Sequence, residues 1–364
     1  MNRIKILFLI DELVGGGAEK VLRNLVNHMD SEKFEITVQT LHYTSPEGYL
    51  APHIRYRAIN RRGSPLLEFC LRLGIWMGWA YPLCIREKYD VEIAFLECFP
   101  TKLLARSTNE AALKLAWVHC DLERKHLRPS YFSCYCSFDR VICVSRAVRE
   151  CFTRCTGRTA DVLGNVLDEQ EILEKSREFQ TKSYETVTFA ALGRLSPEKG
   201  FDRLLSAARR LESEGVSFTL LLLGDGPDRW KLEAAAGDNV VFLGFQENPY
   251  PYMAAADAIV LPSRTEGRST VAAEAMILGK PIVATDCPGM GDLLAGCGLL
   301  TENSEDGIYE GMKGFLTDAA LGARLAAAAK ERGRGFQKEQ AVRQVENYLL
   351  RALEEKRGSP WKFT

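Results

Sequence analysis

The sequence predicts an α/β protein made of two doubly wound domains, each built on a parallel sheet. Its length of 364 residues is typical of two domains with ample core. Short β-rich runs alternate with helical segments from one end of the chain to the other. These runs are continuously apolar rather than alternating, which is typical of strands covered by helices on both faces.

Ten runs of this kind are predicted to be strands, five in each half of the chain. They are 4–10, 36–41, 91–96, 113–119 and 141–145, followed by 187–193, 218–224, 240–243, 258–261 and 281–284. Apolar content falls and charges cluster at 163–182, so we predict domains at 1–165 and 166–340. The last helix, at about 337–356, has one apolar stripe, formed by Val342, Val345, Leu349 and Leu353.

Composition and termini set limits on function. A net charge of −1 gives no support to nucleic-acid binding. The apolar run 4–10 is too short for a signal peptide, because Asp11 and Glu12 follow it directly. The expected location is therefore the cytoplasm, where the eleven cysteines would be free thiols. The pairs Cys134/Cys136 and Cys151/Cys155 lack the C-x2-C spacing of zinc sites, so no metal is expected.

The most informative motif contains two glutamates, Glu266 and Glu274, set eight residues apart. Glu266 follows the strand 258–261, and Ser269 or Thr270 is the expected N-cap of a helix over 271–278 that holds Glu274. Gly279 is expected to end this helix in the left-handed conformation. The free amides and positive end of the helix suit a phosphate, with a carboxylate on either side for sugar hydroxyls. The alternative is two ordinary surface acids, one of them salt-bridged.

Further short motifs occur in both halves of the chain. GRLSPEKG contains Arg194 and Lys199, and the turn Gly224-Asp225-Gly226 follows a later strand. The remaining ones are VVFLGF at 240–245, GGGAEK at 15–20 and GNVLD at 164–168. Each alone is weak: G-x-G turns are common, and the glycine loop at 15–17 breaks the dinucleotide pattern at Lys20, which argues against a nicotinamide dehydrogenase.

Together these motifs resemble the retaining glycosyltransferases of family GT4, across nearly the whole chain and most clearly over 187–294. The resemblance implies the GT-B fold, in which two Rossmann-like domains face a cleft and the C-terminal helix crosses back to the first domain. It also implies transfer of a hexose or N-acetylhexosamine from a nucleotide sugar to a glycan or lipid-linked acceptor. UDP is our first expectation for the nucleotide, with GDP, which contains guanine, as the alternative.

The resemblance assigns roles to individual residues. Arg194 and Lys199 would bind and stabilise the leaving diphosphate, which would make a metal unnecessary, and no D-x-D motif is present. Glu266 would bind the donor sugar and Glu274 the ribose hydroxyls. Backbone groups at the donor would come from Gly16, Gly17, Gly226, Gly267, Ser269 and Thr270. Arg268 stands where many relatives have an aromatic residue, so it would contact either sugar or phosphate.

His119 ends the predicted strand 113–119, at the edge of the sheet where ligands bind in open α/β proteins. A single histidine is often purely structural. The match to a cleft-facing histidine of the GT4 family implies that His119 contacts the donor sugar and helps to position the reaction.

Two rival functions remain on the sequence alone. One is a non-catalytic GT-B module that binds a nucleotide sugar or acts as a scaffold. The other is a GT-B-fold UDP-sugar epimerase, although such enzymes lack the pairing of GRLSPEKG with the spaced glutamates. No cofactor is expected beyond the nucleotide-sugar co-substrate.

The segment 61–88 is the other unusual feature of the chain. Ser64 and Pro65 are predicted to start a helix and Pro82 to disrupt its end. The residues between are mostly apolar and aromatic and are flanked by arginines. Either this is a buried helix, or it is a surface that rests on an anionic membrane at its cytoplasmic face.

Overall fold

A computed structural model of the chain describes residues 3–13, 16–123 and 127–358. It divides into two compact units. The first unit comprises residues 1–166 together with 338–364, and the second unit comprises 167–337.

The first unit is built on a seven-stranded sheet with the order β3-β2-β1-β4-β5-β6-β7, and all its paired strands are parallel. Its strands are β1 Ile4–Ile10, β2 Phe34–His42, β3 Arg55–Asn60, β4 Val91–Ala94, β5 Leu113–Val118, β6 Arg140–Cys143 and β7 Asp161–Val162. Its helices are α1 Gly17–His28, α2 Pro65–Met77, α3 Ala80–Cys84, α4 Phe99–Leu104, α5 Pro129–Phe132, α6 Arg146–Thr156 and α15 Lys338–Arg357.

The second unit is built on a six-stranded parallel sheet with the order β10-β9-β8-β11-β12-β13. Its strands are β8 Thr188–Leu192, β9 Thr219–Leu223, β10 Val240–Gly244, β11 Ala258–Leu261, β12 Ile282–Thr285 and β13 Leu299–Thr301. Its helices are α7 Glu169–Lys175, α8 Phe201–Ser213, α9 Arg229–Ala235, α10 Tyr250–Ala255, α11 Thr270–Ile277, α12 Gly291–Leu294, α13 Glu305–Thr317 and α14 Ala319–Gly333.

All ten predicted strands are present, and most of their apolar runs are buried within the two units. Every residue of β8, β11 and β12 is buried, as are six of the seven residues of β1. Three strands were missed: β3, β7 and β13. β3 and β13 lie at sheet edges, and β7 has only two residues, so none of the three needs a long, fully apolar run.

The last helix, α15, belongs to the first unit, as the resemblance to GT-B enzymes implied, and its predicted apolar stripe is buried there. Val342, Val345, Leu349 and Leu353 are all buried in the core of that unit. Glu346 on the same helix accepts a hydrogen bond of 2.7 Å from the backbone amide of Asp30. The chain therefore returns to the first unit after completing the second.

The predicted end of the helix in 61–88 was wrong. α2 begins after Ser64, whose side chain accepts from the Leu67 amide, but it ends at Gly78, which has a φ of 88°. Pro82 lies inside the next short helix, α3. It is tolerated there because the first amides of a helix have no intrahelical partner for a proline to remove.

Among the described residues, no helix combines the length and the apolarity needed to cross a membrane.

Candidate active site

Strand order places a crevice in the second unit. The chain runs outward from β8 through β9 to β10, then returns to the other side of β8 for β11, β12 and β13. The order of the sheet therefore reverses between β8 and β11, and in open α/β sheets ligands bind beyond the carboxyl ends of the strands at such a point. The segments that follow these two strands contain GRLSPEKG and Glu266.

Lys199 and Glu266 meet at this crevice. The Lys199 ammonium lies 2.7 Å from Glu266 Oε1, and the Ser263 hydroxyl donates to the same oxygen at 2.7 Å. The two charged side chains are 27% and 11% exposed, so the ion pair is largely shielded yet reachable from solvent. The structure thus brings together two of the predicted site residues, which lie 67 positions apart in sequence.

Arg264 fixes the two loops that hold this pair, and sequence reasoning missed it. Its backbone amide donates to the Glu198 carbonyl at 2.9 Å, and its guanidinium donates to the Pro197 carbonyl at 2.7 Å. The guanidinium also forms a paired contact with Asp202, with both distances at 2.7 Å. The proximity of Arg264 holds the pKa of the Asp202 carboxyl below its ordinary value, chiefly through these hydrogen bonds.

Two glycines allow the loops to approach so closely. Gly200 has a φ of +69°, and a Cβ there would clash with the Pro262 carbonyl. Gly226 lies against the backbone of Leu195, with which a side chain would collide. The loops after β8 and β9 are joined by a hydrogen bond of 2.9 Å from the Leu195 amide to the Asp225 carbonyl. The turn at 224–226 therefore supports the GRLSPEKG loop.

Helix α11 starts and stops as the sequence predicted. Ser269, one of the two expected N-caps, accepts from the Ala272 amide at 3.2 Å and is buried. Thr270 is the first helical residue, and Gly279 has a φ of +64°. The first amides of a helix have no partner one turn earlier, and Ser269 satisfies one of them in α11, the Ala272 amide.

The second glutamate has a different environment from the first. Glu274 is 4% exposed and accepts a hydrogen bond of 3.4 Å from the Tyr250 hydroxyl, which projects from α10. Gly267, on the loop before α11, is buried, and its backbone is covered by Gly289, where any side chain would clash. Thr285, at the end of β12, also holds the segment after β11 in place: its hydroxyl donates a hydrogen bond of 2.6 Å to the Ser263 carbonyl.

The two predicted arginines also differ in environment. Arg194 is exposed and forms no ion pair with any residue in the described ranges. Arg268 lies among protein atoms near Asp292 and Arg332. Burial, with a smaller contribution from Arg332, lowers the pKa of Arg268 from its ordinary value. Arg194 is therefore an exposed cation on the same loop as Lys199.

The first unit has its own strand reversal, between β1 and β4. His119 follows β5 directly, with its ring centroid 4.7 Å from that of Phe95. The Glu97 carboxylate is buried and accepts from the backbone amides of His119 and Cys120, at 2.6 and 3.1 Å. Cys98, next to it, has a φ of 67°, the one positive φ found for a residue other than glycine among the described positions.

The glycine loop precedes α1. Gly16 is the N-cap and Gly17 the first helical residue, and both are exposed. Gly15, also part of the predicted loop, lies outside the described residues.

The cysteines in the described structure are all free. One group in the first unit, Glu123, Cys151 and Cys155, has the spacing needed to hold a metal ion, with ligand atoms within 4.8 Å of one another. Glu123 is also paired with Arg154 at 3.0 Å, and burial raises the pKa of the Cys151 thiol to about 12. The raised pKa favours the protonated thiol, whereas metals bind the thiolate.

Comparison with known proteins places this site in a family. Residues 186–318, which contain the ion pair, Arg194 and α11, match the family described as Glycosyl transferases group 1. The second unit thus contains a segment that matches the group 1 glycosyltransferases, and the predicted resemblance to GT4-type glycosyltransferases is confirmed at the level of that family.

Individual relatives support this placement. The chain is 30% identical over 202 residues to N-acetylgalactosamine-N,N'-diacetylbacillosaminyl-diphospho-undecaprenol 4-alpha-N-acetylgalactosaminyltransferase of Campylobacter jejuni, covering 53% of this chain and 54% of the relative. It is 26% identical over 226 residues to the lipopolysaccharide core biosynthesis glycosyltransferase LpsD of Rhizobium meliloti, covering 59% and 64%. The chain therefore spans less than two thirds of the length of each of these relatives.

Solved structures confirm the fold. The complex of HepE from Anabaena with UDP and glucose superposes with a TM-score of 0.75 at 20% identity, covering 95% of this chain and 99% of HepE. Sucrose-phosphate synthase from Thermosynechococcus elongatus gives a TM-score of 0.76 at 18% identity, covering 95% and 98%. With two parallel-sheet α/β units, the chain has the GT-B fold.

Proposed function

We propose that this protein is a retaining, metal-independent glycosyltransferase that uses a nucleotide sugar, preferentially UDP-linked. It transfers a hexose or N-acetylhexosamine to a glycan or lipid-linked acceptor during polysaccharide or oligosaccharide synthesis, at the cytoplasmic face of the membrane. The observation that carries the proposal is the Lys199–Glu266 pair at the β8/β11 crevice, with the exposed Arg194 on the same loop. All three lie in the segment that matches the glycosyltransferase family.

The cations are proposed to act on the leaving group. Transfer breaks the bond between the sugar and the diphosphate, and negative charge develops on the diphosphate as the bond opens. Lys199 and Arg194 would stabilise that charge, the guanidinium through paired hydrogen bonds. Because Lys199 is already held by Glu266, whose Oε1 also accepts from the Ser263 hydroxyl, little reorganisation is needed when the charge appears. Charge stabilisation by side chains would replace a divalent metal.

The carboxylates are proposed to recognise sugars. Glu266 has one oxygen engaged by Lys199 and Ser263, and we assign the carboxylate to the hydroxyls of the donor sugar. Glu274 is buried beside α10 and is assigned to the ribose hydroxyls, a position in which desolvation strengthens a hydrogen bond to a charged acceptor. Backbone groups at Gly226, Gly267, Ser269 and Thr270 are assigned to phosphate and sugar, with Arg268 as a further contact.

The first unit is proposed to contribute one side chain and two backbone positions that act on the donor. His119 is assigned to the donor sugar and to positioning of the reaction, and Gly16 and Gly17 to backbone contacts with the donor. The retaining outcome is proposed to follow from attack on the face that the leaving group departs from, with a phosphate oxygen accepting the acceptor's proton.

Names of related proteins support the substrate class. The HepE complexes contain UDP, glucose and UDP-glucose. The name of the Campylobacter relative specifies an undecaprenol-linked acceptor, and LpsD is named for lipopolysaccharide core synthesis. On this basis we extend a UDP-sugar donor and a lipid-linked or glycan acceptor to the present chain.

The first experiment is isothermal titration of UDP, GDP and ADP into the wild type, Glu274→Ala and the exposed control Glu331→Ala. The proposal expects selective UDP binding that is weakened only in Glu274→Ala. Incubation with UDP-sugars, with and without EDTA, then tests for release of UDP and its independence of metal. Nucleotide binding without any turnover would favour the scaffold alternative, and conversion to an epimeric UDP-sugar would favour the epimerase.

A further inference from the structure

Helix α2 and the residues after it expose an unusual amount of apolar surface. Thirteen large hydrophobic side chains are exposed among the described residues, and eight of them lie between positions 66 and 83. We call seven of these eight the α2 surface: Leu66 (72% exposed), Phe69 (65%), Leu73 (42%), Trp76 (77%), Met77 (59%), Trp79 (40%) and Leu83 (60%). Isolated exposed hydrophobic residues are normal, but a contiguous group indicates an interaction site.

The helix is apolar on two opposite faces. Leu71, Gly74 and Ile75 are buried against the first unit and account for its attachment. At 100° per residue, Leu66, Phe69, Leu73, Trp76 and Met77 fall on the opposite face, which spans roughly 100° of the helix surface and about 16 Å along its axis. A soluble helix that needed only to cover the core would have polar residues on that face.

The α2 surface is held in a defined geometry. Asn60 accepts a hydrogen bond from the Ser64 amide at 3.0 Å and donates to the Ser64 carbonyl at 3.1 Å, which fixes the start of the helix. The Trp79 ring covers Gly74 so closely that a Cβ there would lie 2.8 Å from it. The aromatic groups are therefore presented by an anchored helix, and Trp79 serves partly to attach it.

Positive charge accompanies the apolar surface. Arg61 and Arg62 precede α2, Arg72 lies on it, and Arg86 and Lys88 follow α3; all five are exposed. None of them forms an ion pair with another residue in the described ranges. Of the two acids in the segment, Glu87 is paired with Arg57 at 2.5 Å, and Glu68 lies 3.7 Å from His42.

We propose that the α2 surface binds an anionic lipid bilayer, with α2 lying in the membrane interface rather than crossing it. A helix of 13 residues is too short to span the hydrocarbon core, which needs about 20. Aromatic and aliphatic side chains with a basic rim are the combination that an interface with anionic headgroups favours. A second copy of this chain is a poorer occupant, because a two-fold interface would bring the unpaired arginines of both copies together.

This inference deepens the proposed function, because a bound bilayer would present a lipid-linked acceptor to the first unit. The role of membrane binding in catalysis rests on the proposed function, whereas the binding itself does not. Binding to vesicles requires no donor, acceptor or turnover, so failure of the surface and failure of the catalytic assignment give different results.

The test is co-sedimentation of the full chain with vesicles of phosphatidylcholine alone or with 30% phosphatidylglycerol. The test variant is Phe69→Glu/Trp76→Glu, chosen because both side chains face solvent, whereas Trp79 also packs on Gly74. The matched control is Trp230→Glu, in which an equally exposed tryptophan (67%) on α9 of the second unit is changed. Circular dichroism and UDP titration check that each variant is folded.

We expect the wild type and Trp230→Glu to bind anionic vesicles alike, and the double variant to lose at least about tenfold in partitioning. Binding of wild type should fall between about 0.1 M and 1 M salt as screening increases. Equal binding by the double variant, or no sedimentation of the wild type with anionic vesicles, would overturn the proposal. Size-exclusion with light scattering adds a further check: a wild-type dimer that the double variant converts to monomer, without vesicle binding, would identify a protein interface instead.

Discussion

The two units share the same strand order around their first strand but have different chemistry at the point where the order reverses. In the second unit the reversal between β8 and β11 brings Lys199 against Glu266, and the exposed Arg194 lies on the same loop as Lys199. In the first unit the order reverses between β1 and β4, and Glu97 lies on the segment after β4. Its carboxylate accepts hydrogen bonds from the backbone amides of His119 and Cys120, which follow β5.

This difference shows that topology provides a crevice and that side chains decide its use. Parallel sheets of this order leave a gap beyond the first and fourth strands whatever the sequence. In the second unit, charged side chains face the gap and suit a diphosphate. In the first unit, the buried carboxylate serves to shape the backbone around His119. We therefore expect substitutions in the second crevice to affect chemistry most, and those in the first to affect it less.

The largest effect should come from the cations of the second crevice. Lys199→Ala or Arg194→Ala should each lower kcat by about 10²–10³-fold, because each would remove a charge that we propose stabilises the leaving diphosphate. Measurement of kcat for UDP release from a UDP-sugar checks this, with the exposed Arg324→Ala as a control. Losses of kcat below about threefold in both variants would show that these two cations have only a structural role.

The contact between Lys199 and Glu266 makes a second, sharper prediction. Because the two groups share an ion pair of 2.7 Å, their substitutions should not be additive. Lys199→Ala combined with Glu266→Gln should lose less activity than the product of the single losses, in a double-mutant cycle on kcat/KM. Strict multiplicativity would mean that the pair does not act as a unit during turnover.

A smaller effect should follow from Glu274→Ala, and on binding rather than rate. Loss of a hydrogen bond to a charged acceptor costs about 1.5–3 kcal/mol, which corresponds to a UDP affinity roughly 10–100-fold weaker. Titration of UDP measures the Kd directly. Unchanged affinity would remove the ribose assignment and leave Glu274 as a buried partner of Tyr250.

His119→Ala tests the first crevice against the second. We expect kcat to fall about tenfold, the loss of one hydrogen bond to the donor sugar, while the Kd for UDP stays within twofold. The exposed His53→Ala in the same unit should leave both unchanged. A weakened UDP Kd in His119→Ala would contradict the division of labour between the two crevices.

The smallest effect concerns stability and its pH dependence. The Asp202 carboxyl has a pKa lowered below its ordinary value of 3.8 by Arg264. Its interaction therefore stabilises the fold above that value and is lost as pH falls through the lower, folded-state pKa. Since the Asp202 side chain is 59% exposed, Asp202→Asn should cost only about 0.2–1 kcal/mol at pH 7.

Urea unfolding of wild type and Asp202→Asn at pH 7 and at progressively lower pH measures this difference. The gap between the two proteins should shrink below about pH 4. A gap that widens on acidification would mean that Arg264 is not the source of the effect.

Much of the fold could be predicted because it depends on neighbouring residues. Continuous apolar runs identified ten strands, and Ser269 and Gly279 marked the two ends of α11 as local capping requires. The stripe on α15 follows from helical periodicity alone. Residue types in the motifs also identified Arg194, Lys199, Glu266 and Glu274 as candidates, although their roles remain predictions.

What the sequence could not decide depends on contacts between distant segments. No residue near Lys199 in the sequence indicates its 2.7 Å ion pair with Glu266. The same is true of the hydrogen bond from the Arg264 guanidinium to the Pro197 carbonyl, on the loop that contains Lys199. The same holds for the α2 surface, since an apolar helix looks alike in sequence whether its second face is covered or exposed. Periodicity and capping act within a few residues of the chain, so the sequence by itself determined the elements. Strand order brings distant loops together, so the tertiary structure alone decided which side chains meet and which remain at the surface.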